Sequence, residues 1–242
     1  MLLSIKHLKG FRIEGADGDV GHVDSFLFED DSWNVRYLVV DTGPFVFGKK
    51  VLLSPYCITD LDKSGLVVNL KVDDIRHSPL IDTDQPVSRH MEKQLHQFYR
   101  WPYYWDVTPT ADPTFLSPGY SDENGEHTED SGQETNPHLR SSAEVIGYRV
   151  LAWNRHIGSV NDMIVNTEEW HVPFTVIETT YMTKHKKVLF VNHQVKKILW
   201  DNKLFMIDIS REDFDLLPKF DPHEPINHIN KEILYDYYGS IH

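Results

Sequence analysis

The chain has 242 residues, a formal net charge of −13 and one cysteine, with 40% hydrophobic residues. Such an acidic balance argues against nucleic-acid binding, which needs positive potential along the phosphate backbone. The lone Cys57 forbids an intrachain disulfide, and the sequence has no apolar run of about twenty residues, the length a membrane-spanning helix needs. Lys6 and Lys9 interrupt the opening apolar residues, so no secretory leader is expected, and the predicted setting is soluble, reducing and cytoplasmic.

One unit occurs twice. Gly10, Trp33 and Lys50 recur as Gly147, Trp170 and Lys187, 137 positions later. Pro79, Asp82, Pro86, Leu95 and Tyr99 return as Pro218, Asp221, Pro225, Leu234 and Tyr238, 139 positions later. The first copy is assigned to residues 1–105 and the second to residues 144–242, each of a size that can fold alone.

In each copy the elements follow one order. Asp17-Gly18 and Ser64-Gly65 mark turns. Gly21 and Gly158 precede the main apolar alternation, where a glycine permits a strained backbone or a close approach. Val35, Tyr37 and Val39, with Val172, Phe174 and Val176 as partners, have the period of two that predicts a strand. Pro173 lacks an amide donor, so the second of these strands is expected to be open to solvent there. Further strands are predicted at 49–54 and 186–191, Tyr56 to Leu61, Leu66 to Val72 and Leu204 to Ile209. Five or six short antiparallel strands in so short a stretch predict a small closed or half-closed barrel. Each barrel is then followed by a helix. Ser88 and Asn227 are its expected N-caps, Met91, Leu95 and Phe98 its apolar stripe in the first copy, and Ile233 and Tyr237 the same stripe in the second. The fold class is therefore mainly β with some α: two tandem small β-barrels, each with a C-terminal helix.

Residues 106–143 form the linker, with one Lys or Arg against eight Asp or Glu. Its Pro, Gly, Ser and acidic composition predicts a solvated connection. The acidic run from Asp122 to Glu134 reads as spacer, with a lure for basic partners as the functional alternative.

A set of motifs resembles the PRC-barrel, the photosynthetic reaction-centre barrel. They are Val20-Gly21-His22-Val23, the YLVVDTG strand at 37–43, KKVLLSP at 49–55, the entry Asp82 to Ser88, and QLHQFYRWPYYW at 94–105. The close of the first copy is similar to that of bacterial proteins with two such units. The resemblance covers both copies, omits the linker and is stronger in the first. It implies a compact, mostly β barrel. It also implies kinship with the cytoplasmic domain of the reaction-centre H subunit and with a ribosome maturation factor domain, relatives that dock onto larger assemblies. The chain departs from the H subunit in lacking its membrane helix, and no family site residue maps onto a numbered position here.

No catalytic constellation emerges. Asp17-Gly18-Asp19, with His22 and Asp24 nearby, lacks the ligand pattern of a calcium loop and reads as a polar turn. The 14 histidines keep no matching partner between copies: His22 faces Ser159, His90 faces Ile229, and His193 faces Tyr56. No zinc spacing, phosphate loop or nucleophile elbow is present, so no cofactor or metal is expected. Cys57 reads as a small strand residue.

Two features could carry interactions. Lys49 and Lys50 match Lys186 and Lys187, and Lys184, His185, Lys196 and Lys197 extend the second set; this is a solvated face or a basic patch for an acidic partner or an anionic membrane surface. Trp101, Tyr103, Tyr104 and Trp105 form a dense aromatic run, fit to anchor a partner, to fold back over the barrel or to seal the copies together, with the seal the favoured reading. The expected function is a non-catalytic protein-interaction or assembly module, with self-association as a homodimer or an unknown protein as partner. The alternative is a small-ligand binder, or an electron-transfer-associated protein, with a flat ligand between the barrels.

Overall fold

The structure is a computed structural model and describes residues 1–43, 49–62, 64–79, 87–105, 139–179, 186–217 and 219–221. In the first copy, β2 (Arg12–Gly15) and β3 (Gly18–Glu29) form a hairpin, β4 (Val35–Asp41) follows, then β5 (Lys50–Leu53), β6 (Ile58–Leu61) and β7 (Gly65–Val68). The second copy repeats them as β9 (Arg149–Ala152), β10 (Arg155–Asn166), β11 (His171–Thr179), β12 (Lys186–Val191), β13 (Val195–Leu199) and β14 (Leu204–Ile207). Each copy opens on a short strand and one helical turn, β1 (Leu2–Ser4) with α1 (Ile5–Leu8) and β8 (Leu139–Ser141) with α4 (Ser142–Val145).

These opening strands change places. β1 pairs with β10 of the second copy, Leu3 opposite Val165, while β8 pairs with β3 of the first, Phe28 opposite Arg140. Both ladders are antiparallel and three pairs long, and the 137-residue offset converts one into the other. The result is two seven-stranded sheets, each completed by a strand from the other copy. The chain is mainly β, as expected, but the sheets are open. Their orders are β5-β4-β3-β2-β7-β6 and β12-β11-β10-β9-β14-β13. No ladder among the described residues joins β5 to β6, because a 3-10 turn at Pro55–Cys57 separates them. The expectation of wholly antiparallel sheets also gives way: β2 runs parallel to β7, and β9 to β14. The β6–β7 hairpin turns the chain back so that β7 meets β2 in the same direction.

Other local expectations shift. Tyr56 and Cys57 lie in the 3-10 turn rather than a strand, and β7 stops at Val68 because Val72 begins helix α2 (Val72–Arg76). Leu139 to Ala143, read as the end of the linker, instead form β8 and enter α4. Pro173 is buried, not open to solvent. It lies in a bulge on β11, where Val172 and Pro173 together stand opposite Val165, an irregularity that tolerates a residue without an amide hydrogen. Gly21 and Gly158 match the expectation of close approach. A side chain would strike the Asp41 carbonyl at Gly21 and the Glu178 carbonyl at Gly158.

One hydrophobic cluster crosses the boundary between copies, with Phe26, Phe28, Trp33 and Leu38 packed alongside Val150, Ile164, Phe174 and Phe205. At its centre the backbones touch. Val35 N donates to Trp170 O at 2.7 Å and Val172 N to Trp33 O at 2.9 Å, with Asn34 bridged to His171 between them. A buried carboxylate fixes one exchanged end, where Asp162 accepts from Ser4 Oγ at 2.5 Å and from Lys6 N at 3.2 Å. On the other, Ser142 Oγ accepts from Phe26 N at 3.0 Å.

A helix, α3 (Arg89–Tyr99), packs on the outer face of the first sheet, capped by Ser88 Oγ accepting from Met91 N as the sequence predicts. Its stripe matches the expected one only in part, with Met91 packed beside Leu95 on the sheet and Phe98 turned outward. Leu95 is buried, Phe98 is 42% exposed, and the remaining buried positions are Glu92 and His96. The helix expected in the second copy, with Asn227, Ile233 and Tyr237, lies outside the described residues. Because both halves share a core and trade strands, cutting the chain at a protease site engineered between residues 106 and 138 is expected to leave the two pieces associated. Co-elution on size exclusion at unchanged volume is the expected outcome; two separate peaks would show that the exchange does not hold the halves.

Candidate functional site

Tyr37 rises from β4 beneath α3 and meets two acceptors there. Its hydroxyl lies 2.8 Å from His96 Nε2 and 3.1 Å from Glu92 Oε1. All three side chains are buried, at 0%, 1% and 0% exposure for Tyr37, His96 and Glu92, which makes their proton count decisive. His96 Nδ1 sits 2.8 Å from the Pro102 carbonyl, an acceptor only, so Nδ1 carries a hydrogen. In the neutral ring Nε2 then accepts the one Tyr37 proton. Glu92 is served from elsewhere: Tyr104 Oη donates to Oε1 at 2.6 Å and Arg89 Nη1 approaches Oε2 at 3.1 Å. Burial, then the Glu92 charge, pushes the hydroxyls of Tyr37 and Tyr104 far above the ordinary phenol range. Burial also lowers the pKa of His96, reinforced by the charges of Arg89 and Arg36 against the pull of the Pro102 and Trp101 backbone.

The aromatic run folds back around this cluster. Trp101, Tyr103, Tyr104 and Trp105 all lie within 6 Å of the His96 ring, at 5.9, 5.7, 5.9 and 5.1 Å between centroids. All four are half-buried, and Trp101 stacks on Tyr99 at 4.3 Å. The run covers its own sheet, and Tyr104 reaches further, to the boundary between the copies.

There a cleft of ≈ 290 Å³ opens, lined by Asn34, Arg36, Tyr56 and Tyr104 from the first copy and by Glu169 and Trp170 from the second. Arg36 is placed by a β-bulge. Leu27 pairs with Tyr37 and Phe28 with Val35, so Arg36 is the unpaired extra residue of β4 and its side chain is aimed away from the ladder. Its guanidinium lies 3.9 Å from the Tyr104 ring centroid and donates from Nη2 to Glu29 Oε2 at 2.6 Å, while Nε is buried without a partner among the described residues. Tyr56 stands out from its 3-10 turn at 61% exposure. That turn is stiff: Ser54 O accepts from both Cys57 N at 3.1 Å and Cys57 Sγ at 3.0 Å. Cys57 itself is buried, and burial pushes its thiol up to about 12, which suits packing rather than attack.

The lysines gather less. Lys50 pairs with Asp24 at 2.9 Å, and Lys186 donates to the carbonyls of Leu217 and Asp215 at the end of helix α5 (Arg211–Leu216). Lys49 and Lys187 are half-buried, Lys187 in β12, and Lys184 lies outside the described residues. The first and second sets sit on different sheets, so the structure does not bring Lys49 and Lys50 into one ladder with Lys186 and Lys187. Asp17 accepts from Val72 N at 2.8 Å within the β2–β3 turn region, the polar-turn role the sequence assigns it. Among the described residues, no three His, Cys, Asp or Glu side chains cluster as a metal site would require. None of the helices among the described residues is long and apolar enough to cross a membrane.

Sequence reading found the aromatic run but missed Tyr37, Glu92, His96, Arg36, Tyr56 and Glu169. One signal was available: the copies differ there, with Phe174 for Tyr37 and Pro173 for Arg36. Comparison with protein-family models finds no match for the chain, and comparison with curated proteins finds none either.

Replacing Tyr37 by the phenylalanine that the second copy carries removes the hydrogen that the neutral His96 Nε2 accepts. Tyr37→Phe is expected to destabilise the fold by about 1–3 kcal/mol, read from denaturant unfolding; no loss would show that the hydroxyl is not holding the ring. His96 and His171 both have pKa values lowered chiefly by burial. Below about pH 6.5 the unfolded chain therefore binds protons that the folded chain refuses, and stability falls as the pH drops. The melting temperature is expected to decline between about pH 7 and pH 5, with a shallower decline in His96→Gln; equal slopes would contradict the assignment.

Proposed function

We propose that the chain is a non-catalytic binding and assembly module that receives a protein partner at the cleft between its copies. One observation carries the reading: side chains from both copies and from the aromatic run converge on that cleft, with Tyr56 and Trp170 offering aromatic surface and Glu169 an exposed charge. Aromatic side chains on stiff supports dominate interface energetics, since they bury large area while losing little freedom. The Tyr37–Glu92–His96 cluster is enclosed and its groups engage one another, so it supports the cleft wall rather than meeting a substrate. The resemblance to the PRC-barrel, with each sheet taken as one barrel-like unit, supports the same reading through relatives that dock onto larger assemblies, by analogy of fold. A cytoplasmic setting and self-association belong to this reading too.

A second reading, a small-ligand binder, is favoured by the cleft's volume. At ≈ 290 Å³ it stands near the lower end of small-molecule pockets, about 300–1,000 Å³. The two readings separate in one experiment, affinity capture from the native cells with wild-type chain and with Tyr56→Ala, alongside native mass spectrometry of the purified chain. A stoichiometric protein lost with Tyr56→Ala at unchanged melting temperature is the expected result. A chain recovered without protein but with a bound small molecule would favour the second reading.

A further inference from the structure

We infer that the cleft takes a proline-containing peptide bearing a basic side chain, an assignment that rests on reading the cleft as a docking site. Proline-rich segments hold an extended left-handed helix without internal hydrogen bonds, so they bind with little ordering cost and pack flat rings against aromatic walls. Three elements provide such walls here. Tyr56 projects from the stiff Pro55–Cys57 turn, Trp170 is half-buried on the turn before β11, and Tyr104 is held by Glu92 on one side and Arg36 on the other.

The polar groups fit the same occupant. A polyproline backbone presents carbonyl acceptors and no N–H donors. The cleft is lined by residues that carry donors: Asn34, Trp170 and Tyr56, whose side-chain amide, indole N–H and hydroxyl make no hydrogen bond among the described residues. The electrostatics select the flanking residue. Arg36 is neutralised by Glu29 at 2.6 Å, which leaves Glu169, exposed at the rim, as a net negative charge: it accepts from Asn166 Nδ2 at 3.0 Å and lies near His171 but has no ion pair among the described residues. The chain as a whole carries −13, so the field also attracts a basic peptide. With ≈ 290 Å³ available, the cleft admits a short stretch of extended chain and not a folded element.

The test titrates the full chain, by calorimetry and tryptophan fluorescence, with the capped peptide Arg-Pro-Pro-Pro-Pro-Pro-Arg. The control has the same two arginines separated by alternating glycine and serine. Saturable binding of the proline peptide alone is expected, weakened roughly tenfold or more by Tyr56→Ala. Glu169→Gln is expected to weaken it roughly threefold and to flatten its salt dependence. Both variants change exposed side chains, and their melting temperatures are checked first. Equal binding of the two peptides, no saturable binding, or binding untouched by both variants overturns the inference. If the proline peptide fails while Tyr56→Ala still abolishes capture of the cellular partner, this assignment falls and the docking reading stands. If Tyr56→Ala affects neither, both fall.

Discussion

Two tryptophan carbonyls hold this molecule together. Trp33 and Trp170 occupy the left-handed backbone region, at φ 59 and φ 50, where a bulky side chain is costly by about 1–2 kcal/mol each. That conformation is compensated on the spot. It sends each carbonyl across the boundary to the amide of Val172 or Val35, and it lays the Trp33 ring against Phe28 at 5.4 Å and Phe205 at 6.2 Å. The exchanged strands β1 and β8 then lie beside the far ends of β10 and β3, covering edges that would otherwise be free to pair with other chains. Arg140 extends the tie, pairing with Asp30 of the first copy at 3.4 Å and stacking over Trp200 of the second at 3.9 Å.

The crossing also explains how this cleft differs from its pseudo-symmetric counterpart. The turn that brings Trp170 to the boundary brings Glu169 with it, and the matching turn in the first copy brings Asn34 and Arg36. Applying the 137-residue offset to the cleft gives Ser32 for Glu169, Trp33 for Trp170, His171 for Asn34, Pro173 for Arg36 and His193 for Tyr56. The mate therefore loses its carboxylate, its guanidinium and its projecting phenol. Its tryptophan is 6% exposed and packed into the core, while Trp170 is only half-buried. Duplication supplied two equivalent surfaces; one tryptophan became a structural ring and the other a wall.

The duplication, the strand positions and the Ser88 cap were legible because each rests on local pattern: fixed offset, period of two, and a hydroxyl before a helical run. The exchange was not. Leu2 to Ser4 and Leu139 to Ser141 are too short to announce a partner, and their pairing is decided by which edge lies near once the Trp33 and Trp170 turns have met. The open, partly parallel sheets escaped for the same reason, since parallel pairing of β2 with β7 is a consequence of tertiary return and leaves no periodic mark. Pro173 and Arg36 look unrelated as residue types, yet both lie in the bulges of equivalent strands, β11 and β4. One residue needs no amide there, and the other uses the freedom to leave the sheet. On α3, Glu92 and His96 were hidden by the assumption that a helix buries an apolar stripe.

That polar face has a mechanical consequence. A helix seated only by Leu95 and Met91 could slide along the apolar surface of Val39 and Leu52, because hydrophobic contact is non-directional. The hydrogen bonds of Tyr37, Glu92, His96 and Tyr104 have directions, and shifting the helix by one turn would bury a carboxylate and an imidazole without partners, at a cost of several kcal/mol. The network therefore sets the register of α3, and through the Pro102 carbonyl and the Tyr104 hydroxyl it sets the aromatic run as well. Tyr104 arrives at the cleft with its hydroxyl anchored behind it and its ring stacked under Arg36. A wall fixed in this way surrenders little conformational freedom when it is covered, so the stability invested in the buried network lowers the entropic cost of docking at the surface.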